Sequence, residues 1–154
     1  MGTHRSIPEL MKLCVYDCHE LEQIVAESEE LVQLPNAELY FPKLKEITVF
    51  NCNKLKSLFP ISMVTMLPQL STLQLYKNTQ LQEVFRDSRE DDIMNQKEIV
   101  LSNLEEISLV ELPNFLDICH GCKLHAVKLL RFFIYECPRT SRSLRQIQVT
   151  FLPS

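Results

Sequence analysis

Apolar and polar residues follow one template five times along this chain. The segments 7–15, 41–49, 67–75, 101–109 and 126–134 each read apolar-P-x-L-x-x-L-x-L, with proline at Pro8, Pro42 and Pro68. Three residues past each copy comes a small or apolar residue: Cys18, Cys52, Asn78, Leu112 and Cys137. Leu21, Leu55, Leu81 and Phe115 follow after another three. A partial sixth copy begins at Leu144 and runs through Ile147 and Val149, with Leu152 behind it. The alternation in L-x-L predicts a short strand whose two apolar residues point one way and whose neighbours point the other. The proline suits the extended approach to that strand, where its missing N–H costs no ladder bond.

The pattern L-x-x-L-x-L-x-x-N/C-x-x-L is that of leucine-rich repeats. One such strand cannot bury its apolar face alone, but six stacked side by side make a continuous core. The expected architecture is an α/β solenoid with a parallel sheet of short strands on the concave face and irregular or short helical convex segments. A single domain over residues 1–154 holds about five repeats plus the partial sixth. The onsets Leu10, Leu44, Leu70, Leu104 and Leu129 are 34, 26, 34 and 25 residues apart. The longer spacings carry acidic insertions, 26–38 and 86–98, expected as solvated loops on the rim or convex side. Residues 60–67 are expected to form a short helix with Pro60 in its first turn. The Cys/Asn column is expected to be buried at the turn after each strand, where Asn can bond free backbone groups.

Function in such a solenoid belongs on the concave face. Its residues are the x positions: Lys12, Cys14 and Tyr16; Glu46, Thr48 and Phe50; Thr72, Gln74 and Tyr76; Glu106, Ser108 and Val110; Arg131, Phe133 and Tyr135. With strands about 4.8 Å apart, Tyr16, Phe50, Tyr76, Val110 and Tyr135 should form one ladder, continued by Thr150. Cross-strand stacking stabilises a sheet. Exposed aromatics are also the residue type enriched at protein interfaces. Both readings apply to this column.

Composition narrows the chemistry. Among 154 residues there are two glycines, Gly2 and Gly121. Phosphate-cradling loops of the G-x-x-x-x-G-K-[ST] and G-x-G-x-x-G kinds cannot be written, nor can a G-x-S-x-G nucleophile elbow. Hairpin-rich folds that use glycine at positive φ are disfavoured as well. Met1–Ser6 formally fits an acylation pattern, a match short enough to arise by chance. No apolar run approaches the length of a transmembrane helix, and no secretory leader is recognisable. The six cysteines are therefore expected to be reduced thiols in a cytoplasmic protein.

Net charge is −4, split between −9 over residues 1–119 and +5 over 120–154. The C-terminal cations Lys123, Lys128, Arg131, Arg139, Arg142 and Arg145 are scattered rather than gathered in a nucleic-acid stripe, so no nucleic-acid partner is expected. Cys119-His120-Gly121-Cys122, with His125 beyond, is the one C-x-x-C. It lacks the second ligand pair zinc needs and the helix start a redox dithiol needs, so the reading is a loop thiol pair with Gly121 making a turn. No cofactor and no catalytic residue is expected. A thiol or zinc enzyme at Cys119 and Cys122 is the rival from another class.

The stretch from Phe41 to Pro60, the run Leu67-Pro68-Gln69-Leu70 and the segment from Leu104 to Pro113 resemble the repeats of plant intracellular nucleotide-binding, leucine-rich-repeat disease-resistance receptors. The alternation of compact repeats with acid-rich insertions is similar too. That resemblance implies a non-catalytic module that binds pathogen-derived or guarded host proteins and packs on an adjoining nucleotide-binding domain to restrain it. A substrate-recognition domain of a ubiquitin-ligase adaptor is the alternative. The chain departs from the pattern at Leu112, which replaces Asn/Cys, and at Thr140 and Ser143, which break the apolar spacing. It carries no nucleotide-binding module and begins inside a repeat without an evident cap, so a fragment of a larger protein is expected.

Overall fold

The structure, a computed structural model, describes residues 7–26, 41–87 and 97–147. In chain order its elements are β1 (Lys12–Tyr16), β2 (Glu46–Phe50), β3 (Phe59–Pro60), a 3-10 helix (Ile61–Met66), β4 (Thr72–Tyr76), β5 (Phe85–Arg86), β6 (Lys97–Val100), β7 (Glu106–Val110), β8 (Cys122–His125), β9 (Arg131–Tyr135) and a one-turn helix α1 (Arg142–Arg145). The five template copies form the main sheet, all parallel, in the order β1-β2-β4-β7-β9. Lys12, Glu46, Thr72, Glu106 and Arg131 align across it, so the register advances by the same intervals as the leucine onsets. Parallel neighbours require a crossover, and each repeat's convex segment supplies it.

Each L-x-L pair points into a core built as columns, one residue per repeat. Leu44, Leu70 and Leu104 lie at the turns before the strands; Ile47, Leu73 and Ile107 form the next column, then Val49, Leu75 and Leu109, all closed to solvent. A further column lies on the flank, where Phe59 and Phe85 pack with ring centroids 6.0 Å apart. Register continues it to Cys119 and Leu144, both buried. Beyond the main sheet, β3 pairs with β5 and β6 with β8, again parallel. The solenoid architecture is as expected.

The Cys/Asn column ties neighbouring repeats together. Asn78 is fully buried; its Nδ2 donates to the Val49 carbonyl at 3.1 Å and its Oδ1 accepts from the Cys52 amide at 2.9 Å. The Cys52 and Cys137 thiols donate back to Val15 and Leu109 carbonyls. Cys18 differs from the expectation of burial. It is exposed, because no described repeat precedes β1 to cover it, and its thiol turns to the carbonyl of Tyr16.

Glycine scarcity does not mean that the repeats avoid positive φ. Asp17, Asn51, Lys77, Glu111 and Glu136, the residue after each strand, all lie between +52° and +57°. That conformation costs an L-residue about 1–2 kcal/mol. The first four offset it by extending the ladder: each donates its amide to the last carbonyl of the neighbouring strand, at 2.8 to 3.0 Å.

Three local expectations meet a different outcome. Pro60 stands before the 3-10 helix as its N-cap, with φ −65° and ψ 151°, rather than inside the first turn. The second insertion is not wholly loop: Arg86 ends β5, and Lys97–Val100 is a strand that buries Ile99 against β8. Residues 88–96, the first insertion beyond Ala26, and Gly2 lie outside the described residues. The main sheet has five strands among the described residues. Leu144 sits in α1 and fills the flank position of the fifth repeat, since Ser141 N donates to Leu116 O as Leu116 N does to Gln82 O. The sixth copy from Gln148 onward, with Val149, Thr150 and Leu152, lies outside the described residues.

The polar residues at the end of the fifth repeat are satisfied rather than simply irregular. Thr140, in the column of Leu55, Leu81 and Phe115, is buried, bonds Cys137 O through Oγ1 at 3.0 Å and accepts from Arg145 Nε at 2.7 Å. Ser141 caps α1 at the Leu144 amide and donates to Asp117 Oδ2 at 2.7 Å; Ser143 reaches the same oxygen at 3.4 Å.

Candidate functional face

Alternation leaves one face of the main sheet free of core contacts. All fifteen predicted face residues lie on it, in three columns. The first is Lys12, Glu46, Thr72, Glu106, Arg131; the second places Thr48, Gln74, Ser108 and Phe133 after Cys14; the third is Tyr16, Phe50, Tyr76, Val110, Tyr135.

Charges in the first column pair across strands. Lys12 Nζ lies 3.6 Å from Glu46, and Arg131 3.3 Å from Glu106. Just past the strands Lys77 lies 3.8 Å from Glu111, and Asn51 donates to Asp17 at 2.7 Å. The middle column is narrow: Thr48 and Ser108 are nearly closed to solvent, and Thr48 donates to Gln74 Oε1 at 3.2 Å. These two offer a partner little surface. Sequence spacing places them on the face but cannot show that their taller neighbours overhang them.

The third column is apolar and partly open. Tyr16 meets Phe50 edge-on, centroids 6.2 Å apart, and Lys77 Nζ stands 5.9 Å from the Phe50 centroid. Tyr16, Phe133 and Tyr135 are 53%, 56% and 51% exposed, while Phe50, Tyr76 and Val110 are half-buried between neighbours. The aromatic stripe is therefore most open at its two ends. An open groove of about 450 Å³ runs along the loops after the strands, lined by Asn51, Lys77, Thr79, Glu111, Pro113 and Glu136. A polar hollow of about 510 Å³ lies at the other edge, at Lys45, Gln69, Ser71, Asn103 and Glu105. The positive-φ residues that line the groove carry no sequence signal; only their place one residue past each strand marks them.

The thiol pair has a different setting. Cys119 belongs to the flank column of Phe59, Phe85 and Leu144, and burial drives its thiol far above the ordinary range. Burial also raises Cys122, Cys52 and Cys137. A catalytic thiol needs its thiolate near neutral pH, and burial opposes that here. Among the described residues no three His, Cys, Asp or Glu side chains gather as a metal-holding group.

No helix among the described residues is long and apolar enough to cross a membrane. Comparison with family models matches residues 28–141 to the leucine-rich repeats of RPS2-like plant disease resistance proteins. Neither the curated proteins nor the solved structures contain a match. The matched span includes four of the five main strands, both grooves and the flank column as far as Cys119, and the parallel sheet of short strands with little helix is the fold those repeats specify. The chain belongs to the family of leucine-rich repeats of RPS2-like plant disease resistance proteins.

Proposed function

We propose that this domain is a non-catalytic recognition surface in plant defence, which holds a pathogen-derived or host protein on the open face of its main sheet. The observation that carries this reading is the apolar, mostly aromatic column Tyr16, Phe50, Tyr76, Val110 and Tyr135, set beside charges that are already paired across strands. Lys12, Glu46, Thr72, Gln74, Glu106, Arg131 and Phe133 border the contact, and Thr48 and Ser108 form its floor. An adjoining nucleotide-binding domain is a second partner, restrained through the same domain. The six free thiols fit a reducing, intracellular setting.

Photo-crosslinking residues at positions 50 and 76 test this against controls at positions 56 and 82, in protein expressed in plant tissue. Crosslinks to a defined protein are expected from 50 and 76. Each crosslink should be lost when the other three of Tyr16, Phe50, Tyr76 and Tyr135 are alanine, and the quadruple alanine variant, its far-ultraviolet circular dichroism unchanged, should not bind the captured partner. For a captured partner, each single alanine is expected to weaken binding about tenfold, the scale of an interface anchor. Equal capture from 56 and 82, or undiminished binding by the folded quadruple variant, contradicts the reading.

Salt separates this surface from an electrostatic one. Because the face's charges are satisfied internally, affinity for the partner is expected to change less than about threefold between 50 and 500 mM salt. A steep fall, measured by titration calorimetry, would identify a charge-led contact instead.

A further inference from the structure

In the fourth repeat Cys119 takes the flank place of Phe59, Phe85 and Leu144, and Cys122 stands three residues on, where the second repeat has Ser62. In the fifth repeat the same turn carries Leu144 and Ile147, and Ile147 N donates to Leu144 O as Cys122 N does to Cys119 O at 3.2 Å. Both cysteines therefore leave one turn toward one core. Cys119 is 2% exposed, and Cys122 is half-buried and packed against the same cluster. Gly121 takes the left-handed place between them at φ +78°, with nothing within 4 Å of a would-be Cβ. The Cys122 thiol lies inside this turn, donating to the His120 carbonyl at 3.9 Å. The ends of such a turn lie within about 7 Å, which overlaps the span of about 4.4–6.8 Å that a disulfide bridges.

The remaining cysteines are placed otherwise. Cys52 and Cys137 are buried and turned to backbone carbonyls, whereas Cys14 and Cys18 are exposed on the first repeat. We infer that Cys119 and Cys122 form a reversible disulfide site, closed by a small disulfide oxidant of the glutathione type. The Cys122 sulfur, the more accessible, attacks the oxidant's S–S bond and releases one glutathione thiol, leaving a mixed disulfide. The Cys119 sulfur then displaces the second glutathione. One S–S bond is broken in the oxidant and one formed in the protein, and the two thiol protons end on two glutathione molecules. The bond ties the turn after the Glu83–Asp117 bridge to the first residue of β8, the strand that leads into β9. Its oxidation state thus sets how firmly the flank of the fourth repeat is stapled, independently of what the open face binds.

Equilibration of the whole chain in glutathione disulfide, followed by alkylation in denaturant and peptide mass analysis, tests this. Two of the six thiols should become unreactive and return on reduction, with one linked peptide containing both Cys119 and Cys122. Cys119→Ser and Cys122→Ser should each abolish the loss, and the Cys14→Ser/Cys18→Ser double variant should retain it. Full alkylation of Cys119 and Cys122, a stable glutathione adduct confined to Cys122, or a link to Cys14 or Cys18 would each overturn the proposal.

Discussion

Replacing Asn78 with leucine is expected to lower the unfolding free energy by about 3 kcal/mol, although the two side chains are close in size and leucine occupies the equivalent position at Leu112. The loss comes from polarity, not volume. Asn78 accepts from Cys52 N and donates to Val49 O inside a closed core. Leucine leaves both backbone groups buried without these partners, each at a cost of about 1–3 kcal/mol. Cysteine should recover part of the loss, because the thiols of Cys52 and Cys137 donate to the preceding strand's carbonyl from this position. It cannot replace the acceptor for Cys52 N at full strength. Urea unfolding followed by circular dichroism measures the series; an Asn78→Leu variant as stable as the parent would mean the column serves packing alone.

Two phenylalanines give the second large contrast. Phe85→Ala should cost about 3–5 kcal/mol, the range for removing a buried ring. Phe85 is fully enclosed and stacked against Phe59, so truncation opens a cavity between the second and third repeats. Phe133→Ala should stay within about 0.5 kcal/mol, as for a surface change that breaks no special feature. Phe133 is more than half exposed on β9, the last strand among the described residues, where it borders the proposed recognition surface. Denaturant midpoints for the pair decide it. Similar losses would place Phe133 in the core and remove it from the open face.

Much of the fold is legible because each repeat states the same local rule. Leu44, Leu70 and Leu104 recur at one phase of the pattern, and an L-x-L core can bury itself only as a strand beside another such strand. Column membership on the open face follows from counting: Tyr16, Phe50, Tyr76, Val110 and Tyr135 stand in line as expected. The flank was harder to read. Phe59, Phe85, Cys119 and Leu144 share a column, yet they mix aromatic, thiol and aliphatic chemistry, so no consensus letter reveals them. Leu144 consequently reads as the onset of a sixth copy, when its packing partner is the fourth repeat's turn. The strand β6 is hidden for a related reason: Lys97-Glu98-Ile99-Val100 adjoins an acidic insertion, and only pairing with β8 makes it extended.

By itself the sequence determined the parallel stack, its register and the residues in each column, because side-chain spacing along the chain encodes which way each residue points. Tertiary structure alone decided how far each column member is exposed. Thr48 and Ser108 are walled in by neighbours on both sides, whereas Tyr16 and Tyr135, at opposite edges of the sheet, have a neighbouring strand on one side only among the described residues. It also decided the left-handed residues after the strands and the Asn78 bonds, since both answer backbone groups of another repeat, 24 or more residues away. Spacing within one repeat carries no record of those groups; only the stacking of one repeat on the next brings them into reach.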